Sequence, residues 1–297
     1  MLPGSVEKGH LTGGGAGSGG WLVGGFVALA IAARADQPAT KLASWYDALG
    51  EPRPSESFGH YLTRAARIQH GVKYAITSEP PGAETLDANV DAFECVSFIE
   101  STLAVARCAW ESEPTESCFV RELEATRYRD GRMSDYASRL HYFIDWIGDN
   151  ESRGRLVNMT ASLGGEPVQK DFFYITERVL KRSDVKKDDL ALLTREMQTI
   201  EARLSATTHS VLTRQNAPPV LSELQDGDLV AFVWERPGFL VHHAGFVYWA
   251  NGTPRLLHAS SYHGRVVITV RDLTNYLLRR PERRGVIVAR PIVPQKH

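Results

Sequence analysis

The hydrophobic periodicity of this 297-residue chain changes once, near residue 215, and that change limits the fold more than any other feature. Before it, apolar residues recur at helical spacing. Phe58, Tyr61, Leu62, Ala65 and Ile68 make one stripe over residues 56–71. Val96, Ile99, Leu103 and Ala106 make a second over 95–108, and Tyr136, Leu140, Phe143, Ile144 and Ile147 a third over 134–148. Residues 171–182 and 187–205 are two further expected helices, the second rich in good helix formers. After Asn216-Ala217-Pro218-Pro219 the text becomes short apolar or β-branched runs at residues 229–234, 244–249, 255–259, 266–270 and 286–289. Turn residues separate them, and Asn251-Gly252 is a strong hairpin signal. Helices first and an antiparallel meander last predict an α+β fold. Pro218-Pro219 reads as a connection inside one domain, residues 36–297.

The first 35 residues stand apart. Thr12 to Gly20 reads TGGGAGSGG, which cannot pack a core, and Trp21 to Ala33 is uncharged and apolar. As a helix that run would be about 20 Å long, short of a hydrocarbon core of ~30 Å. Ala33-Arg34-Ala35 then places small residues two apart, as signal peptidase sites do. The expectation is a signal peptide cleaved after Ala35, or an N-terminal anchor if it is retained. The remainder is expected to be exported, periplasmic or extracellular.

Charge excludes some functions. With 34 basic against 35 acidic side chains, the formal net charge is −1, and no nucleic-acid module is visible. No protein partner is indicated. Three cysteines are too few for a disulfide scaffold. Cys108 and Cys118 are ten apart, with Glu113-Pro114 between them to turn the chain. In an oxidising compartment they either pair or remain two thiols; if they pair, Cys95 is the odd one.

Cys95 follows a loop and opens an apolar helix. A thiol there meets the positive end of the helix dipole and unpaired backbone N–H groups, which favour a thiolate and an oxyanion beside it. A lone cysteine is more often core packing; two histidines change that balance. Residues 241–246 read VHHAGF and 256–260 read LLHAS, on consecutive strands joined at Asn251-Gly252. If those two residues form the loop, His258 lies opposite Gly245 and diagonal to His243 on one face. His242 falls on the other face by strand alternation. A base for the thiol and a partner to orient that base are then both present. Zinc held by Cys95, His243 and His258 is the alternative use of the same residues, but no spacing supports a dedicated metal site. No metal and no cofactor is expected.

Taken together, these residues resemble the NlpC-type papain-like cysteine peptidases of bacterial cell walls, and within them the N-acetylmuramoyl-L-alanine amidase-like family. The resemblance runs over most of residues 56–292 and rests on GVKY at 71–74, FECVSFIE at 93–100, RYRDG at 127–131, SRLHYFIDW at 138–146, TASLGG at 160–165, LQDGDLVAF at 224–232, and the two histidine stretches. It implies a papain-like fold with a helical elaboration at about 120–215, and hydrolysis of the amide between muramic acid and L-alanine. Cys95 falls on the nucleophile, His243 on the general base and His258 on the orienting residue. Tyr74 falls on an aromatic that faces the cysteine in related enzymes. Arg139, His141, Tyr142 and Trp146 fall in the family's own elaboration and are candidates for substrate contacts. Arg127, Arg129 and Arg132, with Tyr128 and Tyr136, extend this into an aromatic-basic stretch suited to sugars and carboxylates. A helix with a core stripe and a solvated basic face accounts for the same pattern.

Three positions depart from the family. Glu94 stands where Asp is usual, which predicts a helix start weaker by about 1 kcal/mol. Lys73 replaces a proline, and Ser97 a threonine. His242 beside His243 offers a second base, but the following Ala-Gly and the strand phase select His243. The chemistry also allows an endopeptidase cut between D-glutamate and diaminopimelate, acyl transfer to an amine, or a catalytically silent wall-binding protein.

Overall fold

Caps set the helix starts. The computed structural model describes residues 40–76, 84–183 and 185–294, and the expected leader at residues 1–35 lies outside them. Thr40 caps α1 (Lys41–Leu49), Ser57 caps α2 (Phe58–Ile68) and Glu94 caps α3 (Cys95–Trp110). Thr115 does so for α4 (Glu116–Arg127). Then come α5 (Phe143–Ser152), α6 (Tyr174–Val179), α7 (Lys187–Ala206), α8 (Ala217–Leu221) and α9 (Leu273–Leu278). Pro218 and Pro219 sit in the opening turn of α8, where a missing N–H costs little.

The strands are β1 (Lys73–Tyr74), β2 (Ala92–Phe93), β3 (Leu156–Asn158), β4 (Glu166–Val168), β5 (His209–Thr213), β6 (Leu229–Trp234), β7 (Val241–Ala250), β8 (Thr253–Ser260), β9 (Arg265–Asp272) and β10 (Arg283–Pro291). They join in the order β2-β1-β9-β8-β7-β6-β10-β5-β4, with β3 also on β10. β1 and β2 run parallel and the other described pairs antiparallel. The class is α+β. Strands β3 and β4, from the stretch expected to be a helical elaboration, hydrogen-bond into this same sheet.

Both sheet faces are covered. Leu229, Ala231, Phe246 and Leu257 pack with the α1–α3 layer, while Val230, Phe232, Val247 and Leu256 pack under α8 and α9. This explains why β6 reads as an unbroken apolar run rather than an alternating one. Gly59 and Gly227 meet backbone to backbone: a Cβ on Gly59 would lie 2.1 Å from the Asp226 carbonyl oxygen.

The helix expected over 134–148 is broken. Asp135 and Ser138 form a reciprocal capping box around a single 3₁₀ turn, Tyr136–Ser138, and the chain is extended at Arg139 before α5 begins. Arg139 there bridges Tyr128 as an isolated antiparallel pair. The stripe of Tyr136, Leu140, Phe143, Ile144 and Ile147 is nonetheless buried throughout. Its spacing reports a shared core, which an irregular backbone can satisfy as well as a helix.

Cys108 on α3 and Cys118 on α4 form a disulfide, and Cys95 is the free cysteine. Closing a loop of this length stabilises the fold by about 3 kcal/mol. A Cys108→Ala/Cys118→Ala variant is therefore expected to melt roughly 6–12 °C lower in a calorimetric scan. Titration of the unfolded parent should find one free thiol; three would contradict the bond.

Candidate active site

The site is built around the start of α3. The Glu94 carboxylate accepts hydrogen bonds from the Val96 amide at 2.9 Å and the Ser97 amide at 2.6 Å, and the Ser97 hydroxyl accepts from the Glu94 amide at 3.0 Å. This is a complete capping box. The weak start expected for Glu in place of Asp is therefore not found: the longer side chain folds back, and Ser97 returns the bond. The Cys95 thiol donates to the same carboxylate at 3.3 Å. The backbone N–H groups of Ala244 and of Cys95 itself also act on the sulfur, and they favour the thiolate. Burial is the main cause that pushes the Cys95 thiol well above its ordinary range, followed by the charge of Glu94 and its hydrogen bond.

Ala244 leads directly to the histidines. The Asn251-Gly252 turn sets Ala250 opposite Thr253 and Phe246 opposite Leu257, so His258 lies opposite Gly245. A Cβ on Gly245 would lie 2.8 Å from the His258 Cβ, so only glycine leaves room for that imidazole. His243 Nε2 and His258 Nδ1 are 2.5 Å apart. With Nε2 engaged, Nδ1 is the nitrogen through which His243 can take a proton. In that tautomer His243 donates to His258, whose own Nε2 carries a hydrogen. The His258 Nε2 is buried without a hydrogen-bond partner, beside the edge of the Tyr276 ring. His242 is the extra residue of a bulge, since Phe232 pairs with His243 and Val233 with Val241. The bulge ends strict alternation, so both histidines line the cleft; His242 packs at a tilt against Trp234.

The cleft encloses about 430 Å³. Cys95, His243, Tyr74, Arg139, His141 and Tyr142 all line it. Trp146 does not: it is 1 % exposed and stacked on Phe143 in the core. Tyr142 presents its ring, while its hydroxyl donates to Glu201 at 2.5 Å. His141 Nε2 is held by the Tyr136 carbonyl at 2.7 Å. The aromatic-basic stretch divides. Arg127 is buried in an ion pair with Glu100, Arg129 pairs with Asp145 outside the cleft, and the Tyr128 hydroxyl donates to Glu84. Arg139 pairs with the same Glu84 at 3.4 Å. The lining residues that escaped the sequence include Tyr174 and Arg178 from α6, and Arg236 and Phe239 from the loop before β7. The signal for the last two was present in ERPGF at 235–239. Gly238 there takes a positive φ of 82° and packs against Phe173, which aims the loop at the cleft.

Burial lowers both site histidines. His258 falls to about 3, through burial first and then His263 and Arg283. His243 falls well below its usual value, through burial, then His258, His242 and Arg283. Burial and Arg139 take His141 down to about 3. Among the described residues no group of three His, Cys, Asp or Glu side chains is disposed to hold a metal.

The AmiA-like family, described as N-acetylmuramoyl-L-alanine amidase-like, matches residues 66–286. The chain belongs to this amidase-like family. Among solved structures, an N-acetylmuramoyl-L-alanine amidase from Bacteroides uniformis is 27 % identical with a TM-score of 0.71; the alignment covers 79 % of this chain and 98 % of that one. A Bacteroides fragilis protein provisionally named a xylanase is 30 % identical with a TM-score of 0.69, over 76 % of this chain and 99 % of that one. A Legionella pneumophila protein shares the fold at 21 % identity and a TM-score of 0.62, over 87 % and 95 %. No curated protein sequence matches the chain.

Two outcomes follow for this amidase-like chain. Gly245→Ala should displace His258, destabilise the fold by roughly 1–3 kcal/mol and move the His258 ring resonances in an NMR spectrum; unchanged resonances would contradict the crowding. Acid should also weaken the fold. Below pH 6.5 the unfolded chain protonates its histidines while folded His258 stays neutral down to about 3, so stability is lost as pH falls through this window. Each such group contributes up to about 1.4 kcal/mol per pH unit. Urea titrations at pH 7, 5.5 and 4 should show that slope reduced by one group's share in His258→Asn.

Proposed function

We propose that this chain is an exported cysteine amidase of papain-like, NlpC-type architecture that hydrolyses the amide between N-acetylmuramic acid and L-alanine in peptidoglycan or its fragments. The observation that carries this reading is the convergence, in one cleft, of a free cysteine at a capped helix start with a histidine whose far nitrogen is fixed by a second histidine. Membership of the amidase-like family and the name of the Bacteroides uniformis neighbour supply the bond.

The Cys95 sulfur attacks the lactyl carbonyl carbon while its proton passes to His243 Nδ1. His258 orients His243 and receives the hydrogen bond from Nε2. Glu94 occupies the Val96 and Ser97 amides; Cys95's own N–H, which acts on the sulfur in the resting site, passes to the oxyanion as the C–S bond forms. The Tyr74 hydroxyl is a second donor; burial, then Cys95 and Glu94, raise its pKa and keep it protonated. Protonated His243 gives its proton to the L-alanine nitrogen as the C–N bond breaks. Water, deprotonated by His243, then opens the thioester and returns the thiol.

The provisional xylanase name of the Bacteroides fragilis neighbour points to different chemistry. Glycoside hydrolysis needs two free carboxyl groups facing the substrate. The cleft is lined by Glu94 and Glu100, of which one caps α3 and the other is locked to Arg127.

Digestion of a defined muropeptide followed by mass analysis tests the proposal. Free muramic-acid-bearing sugar and intact stem peptide are expected, with the rate falling roughly a thousandfold or more in Cys95→Ala. A cut between D-glutamate and diaminopimelate would move the bond, and full activity in Cys95→Ala would remove the mechanism.

A further inference from the structure

We infer that two fixed charges, the Glu94 carboxylate at the sulfur and the Arg283 guanidinium behind the imidazoles, hold Cys95 and His243 as a neutral thiol and a neutral imidazole rather than as a thiolate–imidazolium pair. The inference rests on the pairing of Cys95 with His243 proposed above. Its geometry is independent of the substrate.

The polarity runs against charge separation. A thiolate–imidazolium pair is negative at sulfur and positive at the ring; here the anion stands at the sulfur and the cation at the rings. Neither charge can swing away. Glu94 is pinned by two backbone amides while its Oε2 accepts from the thiol. Arg283 lies 3.8 Å from the centre of the Tyr276 ring and 5.4 Å from that of Phe232, and donates to the Tyr276 carbonyl. Tyr276 in turn packs against His258 and His243, at 5.6 and 6.4 Å between ring centres. No carboxylate among the described residues forms an ion pair with Arg283.

The other charged and titratable groups do not reverse this. Around Cys95 they are Tyr74 from β1 and Tyr276 from α9, both kept as neutral phenols by burial. Around the imidazoles they are His242 and His263, which as cations would oppose a further positive charge. Arg280 and Glu282 flank Arg283 with opposite signs. The directions already given agree, with burial acting first and these charges adding to it: the thiol is raised and both imidazoles are lowered.

The consequence is a nucleophile that appears only during attack. The thiol proton leaves for His243 as the C–S bond forms, and between turnovers Cys95 resists alkylation and oxidation. A free thiol in an oxidising compartment gains from that restraint.

The test follows Cys95 alkylation by iodoacetamide against pH, read by mass spectrometry of the free thiol in the folded full chain. In the parent, the rate should be low below pH 7 and inflect above 9.0, the ordinary thiol value. Glu94→Gln, whose amide oxygen can still accept from one of the Val96 and Ser97 amides, should lower the inflection by about half a unit or more, a gain of roughly threefold or more at pH 7, and Arg283→Met, which removes the cation opposing an imidazolium, should raise the rate below pH 7 without lowering the inflection. Arg283→Lys, which keeps the charge, should follow the parent. A reactive plateau in the parent between pH 5 and 7, or an unmoved inflection in a folded Glu94→Gln, would overturn the inference. Because alkylation needs no muropeptide, a failure of the amidase reading would leave these profiles unchanged, and the two are separable.

Discussion

The β7–β8 register is the constraint on which the site depends. Slipping this hairpin by one residue would turn His258 to the opposite face of the sheet and leave His243 without a partner. Three features prevent the slip. The Asn251-Gly252 turn, with both residues at positive φ, fixes the loop at two residues. Leu256 and Leu257 must each enter a different core, one under α9 and one under α3. Gly245 leaves the space against β7 in which the His258 side chain stands. Stability and site geometry are thus set by the same pairing, and a change that loosened the register would cost both.

The start of α3 couples folding to chemistry in a second way. A helix N-terminus favours a thiolate, and taken alone it argues for an activated cysteine. Here two of those amides, of Val96 and Ser97, are spent on Glu94, whose own charge acts against the thiolate and outweighs the Cys95 and Ala244 N–H groups at the sulfur. Nearness decides between the effects: the carboxylate touches the sulfur, whereas the amides of Val96 and Ser97 are satisfied by that carboxylate. A helix terminus therefore cannot be read for reactivity until its cap is known.

What the sequence disclosed, and what it hid, follows from the range of the interactions. Strand β6 and the β7–β8 hairpin were legible because their signals are local: an apolar run, a turn dipeptide, an alternation of two. The cysteine and both histidines came with them. The two- to five-residue strands β1 to β5 were not legible, since pairing with distant partners, not propensity, makes them strands. Trp146 was drawn into the substrate set by its place in a motif, but its ring completes the core against Phe143. Tyr276 and Arg283 were invisible as neighbours of the histidines, because α9 and β10 reach them only through the tertiary fold, β10 by pairing with β6. The break at Arg139 was hidden because a capping box and a core stripe both fit a helix on paper.

That break also explains how a chain of net charge −1 can present a basic cleft. Had residues 134–148 formed one helix, Arg139, His141 and Tyr142 would have pointed in directions about 100° apart per residue. In the extended link all three line the same cavity. The carboxylates near them are committed: Glu84 to Arg139 and Tyr128, Glu100 to Arg127, Glu201 to Tyr142. Arg236, stacked on Tyr174 and Phe239, has no carboxylate paired to it among the described residues, and it stands at the exposed rim. The cleft is therefore cationic where the molecule as a whole is not. An anionic substrate is attracted only within about one Debye length of the mouth, ~8 Å at physiological salt. Under the proposed function, selection would rest on contact inside the cleft, with its aromatic faces and a guanidinium, and not on long-range steering.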